Sequence, residues 1–215
     1  MSNQTRSQEE ITQMGNPAKP RGEEGAKMLL RMNDSHYPVT GWALSFLSFQ
    51  KSDQVLDIGC GGGAALKRMS GQMESGHLIG VDYSEVSVEL SCKMNEEDIA
   101  SGKMEILKAS VEQLPFEENQ FDKIITVESF YFWPDPAENL KEVVRILKTG
   151  GVFLLVADIY QKEGLDKSVL DNIARYQLFN PTVEEFELLF RQAGFSEVKA
   201  HTKEGTDWIC VEGIK

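Results

Sequence analysis

Two carboxylates and a cluster of glycines carry the chemistry most clearly written in this chain. Asp57 lies in the stretch VLDIGCGGGA at residues 55–64, two positions before Gly59, the first of four glycines with Gly61, Gly62 and Gly63. Asp82 closes the next apolar run, HLIGVD, about 20 residues beyond the glycines, where a carboxylate accepts hydrogen bonds from both hydroxyls of a ribose. Glycines allow positive φ and leave no Cβ in the way, so a ligand can approach the main chain. AALKRMS after them has helix-forming composition, and a strand, a glycine turn and a helix N-terminus together are expected to present free N–H groups and the positive end of a helix dipole, which suits an anionic or carboxylate-bearing ligand. Gly59, Gly61 and Ala64 formally satisfy G-x-G-x-x-G/A, the dinucleotide fingerprint. Asp57 argues for a different ligand. A carboxylate two residues before the first glycine repels a pyrophosphate and suits a cationic group.

The acid–base candidates lie elsewhere. His36, in the polar segment MNDSHYP, is the first choice for a base, because histidine titrates near neutral pH and this segment could fold across a ligand. Glu128 and the run Phe130-Tyr131-Phe132-Trp133 follow the fourth expected strand, at the sheet edge where such folds bind ligands, and Tyr131 is the second catalytic candidate. His77 reads as solvated and His201 as structural. Cys60 reads as a small apolar side chain within the glycine turn rather than a nucleophile. Cys60, Cys92 and Cys210 show no C-x-x-C spacing, and no metal is expected from sequence.

An alternation of strands and helices must position these groups. Strands are expected at 55–58, 78–82, 104–108, 121–128 and 152–157, with helices at 64–70, 86–100 and 137–147, Ser84 capping the second of these. That rhythm predicts a Rossmann-like α/β fold, a doubly wound and mostly parallel sheet with helices on both faces. Thr149-Gly150-Gly151 is expected to end the helix before the fifth strand. Helices at 168–177 and 182–193 follow, the second opened by a capping box of Thr182 and Glu185 and closed at Gly194. Strands at 195–201 and 207–213 have only KEGT between their cores, so the last must run antiparallel. Residues 1–26 are polar and Pro/Gly-containing and read as a flexible arm or lid, with 27–215 as one domain carrying a helical insertion near 160–181. A short helix is expected at 28–32, Pro38 ends whatever precedes it, and Thr40 caps a helix carrying Trp42, Leu44, Phe46, Leu47 and Phe49.

With 215 residues, 41% hydrophobic, the chain can bury a full core. A net charge of −12 disfavours phosphate backbones, so nucleic acid is not an expected partner. The apolar runs are strand-sized, so membrane insertion is not expected, and the unpaired cysteines suit a reducing, cytoplasmic setting. Oligomeric state is not readable from the sequence.

The combination VLDIGCGGG, IGVDYS, ASVEQLPF, FDKIITVESFYFWPD and LKEVVRILKTGG resembles the small-molecule class I S-adenosylmethionine-dependent methyltransferases of the type 11 group, akin to the ubiquinone and menaquinone biosynthesis methyltransferases. The resemblance implies seven strands with the last antiparallel, S-adenosyl-L-methionine as cofactor, S-adenosyl-L-homocysteine as product and a small-molecule methyl acceptor. It places Asp57 as the motif acid, Gly59, Cys60, Gly61 and Gly63 in the glycine turn, Asp82 on the ribose and Tyr83 beside the adenine. Ser110 stands where the family commonly has an acid facing the adenine amino group, with Val111 and Glu112 beside it. Glu128 joins the cofactor contacts. Two other readings stay open at this stage: an NAD-dependent oxidoreductase, and a non-catalytic module that binds the cofactor.

Overall fold

A computed structural model describes residues 16–215. The first fifteen positions of the expected arm lie outside the described residues. Helix α1 spans Gly22–Leu44, followed by β1 (Gln54–Ile58), α2 (Ala64–Ser70), β2 (His77–Asp82), α3 (Glu85–Met94), α4 (Glu96–Ala100) and β3 (Met104–Lys108). Then come β4 (Phe121–Val127), a 3-10 turn (Phe130–Phe132), α5 (Pro136–Ile146), β5 (Leu147–Ala157), α6 (Lys167–Tyr176), α7 (Val183–Ala193), β6 (Glu197–Thr202) and β7 (Ile209–Ile214).

The seven strands form one sheet in the order β3-β2-β1-β4-β5-β7-β6. β1 pairs in parallel with β2 and β4, and β4 with β5, while β7 is antiparallel to both β5 and β6, as the short KEGT link requires. Residues on alternate sides of the strands feed two cores. Phe153 and Leu155 pack with Phe121, Leu140, Val143, Phe186 and Phe190 on one face, and Leu154 and Val156 pack with Val39, Ala43, Leu66 and Met69 on the other. Sequence order reverses between β1 and β4, so a crevice opens past their carboxyl ends.

Several boundaries differ from expectation. The arm, the short helix at 28–32 and the Trp42 helix are, from Gly22 to Leu44, one continuous helix with Pro38 inside it. Packing outweighs the missing proline N–H: Leu29, Val39, Ala43 and Leu44 are buried, and Thr40 Oγ1 donates to His36 O at 2.8 Å. Phe46, Leu47 and Phe49 fall beyond the helix. Phe46 stacks on His201 with ring centroids 4.0 Å apart, and Trp42 meets Trp208 at 6.1 Å, which seats the end of α1 on the β6–β7 hairpin. The helix expected at 86–100 breaks at Asn95, whose side-chain amide turns inward to donate to Ser91 O and Gly63 O. Ser84 makes no side-chain cap, because its hydroxyl donates to Pro20 O at 2.9 Å. β5 begins directly at Leu147, so Thr149, Gly150 and Gly151 lie within the strand, beside a register shift between Phe121 and Lys123. The Thr182–Glu185 capping box and the left-handed Gly194 stand as read.

Candidate active site

A cavity of about 270 Å³ lies past the carboxyl ends of β1, β2 and β4, walled by α1, the glycine turn and the loop 109–112. Asp57 reaches it from the end of β1. It is buried, and neither carboxylate oxygen has a hydrogen-bond partner among the described residues. Burial, and secondarily the charge of Asp82, push its carboxyl up to about 7. Two unpartnered carboxylate oxygens beside an open cavity are a receptor for a cation.

The glycine turn works through missing Cβ atoms more than through free donors. The N–H groups of Gly59 and Cys60 both donate to Val81 O, Gly63 N donates to Cys60 O, and Gly61 N donates to Asp82 Oδ2 at 3.0 Å. The expectation of free N–H groups therefore fails at these four positions, since the turn is stitched to the end of β2. Gly59 sits at φ 73°, and a Cβ there would strike Ser129, whose own Cβ would be 2.5 Å away. Gly61, at φ 51°, faces open space, with Leu29 Cδ2 its nearest neighbour at 3.7 Å. Gly63 is not on the cavity wall. It packs α2 against Ser91 and Asn95 of the neighbouring helix. Cys60 lines the cavity, but its thiol is turned to Ser91 Oγ, and burial pushes its pKa far up, so it is no nucleophile.

Asp82 is fixed at the end of β2 by the N–H groups of Gly61 and Ser84, the second at 2.8 Å. Burial nevertheless raises its pKa, with those donors opposing. Each carboxylate oxygen retains accepting capacity toward the cavity. Tyr83 follows, 41% exposed, with Lys19 Nζ 5.5 Å from its ring centroid. Ser110, Val111 and Glu112 line the same end of the cavity, where the Ser110 hydroxyl donates to Glu112 and receives the Glu112 N–H.

At the other end α1 and the segment after β4 meet. His36 Nε2 stands 3.8 Å from Glu128 Oε2 and 4.0 Å from Asp158 Oδ2. Burial lowers the pKa of His36, with Asp158 opposing, so the ring tends toward its neutral form. Burial, and then Asp158, raise Glu128 well above the usual carboxylate range. Glu128 also occupies a left-handed φ of 55°, unusual for a non-glycine residue. Phe132 and Trp133 line the cavity here, while Phe130 is core, packed on Trp133, Phe179 and Phe186. Tyr131 does not line the cavity. It is buried behind Glu128, donating to Glu128 Oε2 at 2.6 Å and lying 3.1 Å from Asp158 Oδ1, so its place is that of a positioning residue. His77 opens β2 and His201 contacts Glu212 on β7, both away from the cavity.

Two participants escape the sequence reading. Asp158 follows β5 with no motif to mark it. Arg68, on α2, is the one lysine or arginine among the described cavity residues. Its Nη1 donates to Tyr37 O at 2.6 Å, its guanidinium lies 4.1 Å from the Tyr37 ring centroid, and the absent Cβ of Gly41 makes room for it. No carboxylate pairs with it among the described residues.

A parallel sheet with one reversed strand and an acid-flanked glycine turn at its switch point defines a nucleoside-binding Rossmann-like enzyme fold. The methyltransferase-domain family model matches residues 56–155, and the chain belongs to the class I S-adenosylmethionine-dependent methyltransferases of the type 11 group. The chain is 31% identical over 169 residues to a demethylmenaquinone methyltransferase of Lactococcus lactis, covering 67% of this chain and 66% of that protein. It is 28% identical over 151 residues to a chloroplastic 2-methyl-6-phytyl-1,4-hydroquinone methyltransferase of Oryza sativa, covering 70% of this chain and 41% of the rice protein. It therefore spans less than half the length of that relative. In fold it matches a phosphoethanolamine N-methyltransferase of Haemonchus contortus at a TM-score of 0.77 and 13% identity, over 98% of this chain and 60% of the other. No helix among the described residues is long and apolar enough to cross a membrane.

The family's cofactor, S-adenosyl-L-methionine, carries an ammonium, a carboxylate, a sulfonium and a ribose diol. The residues present fit it: the orphaned oxygens of Asp57 suit a cation, Arg68 suits a carboxylate, and Asp82 suits a diol.

Proposed function

We propose that this chain transfers the methyl group of S-adenosyl-L-methionine to a small-molecule acceptor that enters between His36, Glu128, Phe132 and Trp133. The observation that carries the reading is Asp57, a fully buried carboxylate with both oxygens unpartnered beside the cavity. When bound, the cofactor supplies an electrophilic methyl group on its sulfonium. Asp57 would hold the ammonium, Arg68 the carboxylate, Asp82 the ribose diol, and Tyr83 with residues 110–112 the adenine. Those contacts fix the direction of attack, and orientation with exclusion of water can contribute about 7 to 11 kcal/mol. His36 and Glu128 give the acceptor end its polar groups, while Phe132 and Trp133 give it flat apolar walls suited to a planar or partly apolar acceptor.

Thermal shift tests the cofactor half of this reading. S-Adenosylhomocysteine should raise the melting temperature, since a ligand bound only by the native state stabilises it, and NADH should not. The reverse result would favour the oxidoreductase reading. Methyl transfer from labelled cofactor into a panel of quinols, phenols and amines tests the other half. Cofactor binding with no transfer to any small molecule would leave a binding module.

A further inference from the structure

We propose that His36, Glu128 and Asp158 form a site for one divalent metal ion at the acceptor end of the cavity. The three residues come from three elements, α1 and the segments after β4 and β5, and their ligand atoms all lie within 4.8 Å of one another. The His36 separations, 3.8 Å to Glu128 and 4.0 Å to Asp158, are too long for hydrogen bonds, so the imidazole is not tied to the two carboxyl groups, which contact each other side chain to side chain. Atoms that each sit about 2.1 Å from a shared ion stand about 3 to 3.4 Å apart in octahedral or tetrahedral geometry, so the three side chains would draw in by roughly half an ångström around an ion.

Charge points the same way. Among the described residues Glu128 Oε1 is buried with no hydrogen-bond donor, and no lysine or arginine pairs with Glu128 or Asp158. Among the described residues His36 is the only basic side chain within 4.0 Å of the two carboxylates, and a lone imidazole does not balance them. Two carboxylates in contact repel each other, and an ion held between them would offset that repulsion. Tyr131 holds the carboxylates from behind: its hydroxyl donates to Glu128 Oε2, and it accepts the main-chain N–H of Asp158 at 3.2 Å. Such outer contacts are what orient metal ligands. One imidazole with two carboxylates suits Mn²⁺, Fe²⁺ or Zn²⁺.

Three protein ligands leave coordination positions open. The role of the ion rests on the methyl-transfer reading. An acceptor hydroxyl taken at an open position would lose its proton to water more readily, and its oxygen would form the O–CH₃ bond as the S–CH₃ bond of the cofactor breaks. That favours oxygen acceptors over amines.

The test uses the full chain, stripped with chelator and titrated with Mn²⁺, followed by calorimetry and by loss of the free-ion spin-resonance signal. One ion per chain is expected, with binding at least tenfold weaker in His36→Ala and in Asp158→Asn. S-Adenosylhomocysteine affinity should stay within about twofold in both variants, which shows that they remain folded. No saturable Mn²⁺ or Zn²⁺ binding, or binding indifferent to both substitutions, would overturn the site. Retained Mn²⁺ binding with no S-adenosylhomocysteine binding would uphold the site and sink the methyl-transfer reading instead.

Discussion

Gly61 N donates to Asp82 Oδ2 at 3.0 Å, so the glycine turn and the acid at the end of β2 hold each other in place. One carboxylate therefore fixes the turn and stands where the proposed ribose would sit. Asp82→Asn sets an amide where two N–H groups need acceptors, and the expected loss is about 1 to 3 kcal/mol of stability. Urea unfolding measures that loss. Calorimetry with S-adenosylhomocysteine should show affinity falling about tenfold or more in the same variant.

Asp57 makes the unliganded protein sensitive to pH. Its folded-state pKa, raised to about 7, exceeds the ordinary carboxylate value near 4, so between those limits the folded chain keeps a proton that the unfolded chain has released. Stability contributed by the protonated form is full below about pH 4 and declines as pH rises to about 7. Asp57→Asn should accordingly melt roughly 3 to 8 °C higher than the parent at pH 8 without ligand, and the gap should close by pH 4. Affinity for S-adenosylhomocysteine should fall at least tenfold in the variant, and in the parent it should weaken as pH drops below about 7, because only the ionised carboxylate receives an ammonium.

Gly59 and Gly61 separate steric from conformational demands. Gly59→Ala meets Ser129 at a positive φ, with an expected cost of about 3 kcal/mol. Gly61→Ala has space for its Cβ and bears only the left-handed backbone penalty, about 1 to 2 kcal/mol. Denaturant midpoints give both values. An equal cost at the two sites would show that Ser129 moves aside.

His36→Ala should lower turnover about a hundredfold or more while leaving S-adenosylhomocysteine affinity within twofold, because the ring stands at the acceptor end. Tyr131→Phe strips a donor from Glu128 and an acceptor from Asp158 N, so stability should drop by about 1 to 3 kcal/mol. A positioning role further predicts that Tyr131→Phe shifts the pH profile of turnover, which a purely structural role would not do.

The sheet and the glycine turn at its carboxyl edge were legible because local signals and tertiary demands coincide there. The run Val55, Leu56, Ile58 is buried on both faces, and the KEGT link dictated the reversed last strand. α1 was misread because Pro38 is a strong local stop that buried Val39, Ala43 and Leu44 override, an outcome set by contacts with distant strands. Gly63 and the turn N–H groups were misassigned for a related reason: a glycine motif records where Cβ is forbidden, and here the neighbours forbidding it are Ser91 and Asn95. Asp158 and Arg68 carry no motif. Their relevance arises only when β5 and α2 are brought beside α1.

Because one helix presents Leu29 and Asn33 to the glycine turn and His36 to Glu128, the proposed nucleoside and acceptor would share a single wall. Filling the first chamber would complete that wall before the acceptor arrives. Steady-state kinetics should then follow a compulsory sequence, with the nucleoside first in and last out, and product inhibition by S-adenosylhomocysteine competitive only against its own precursor.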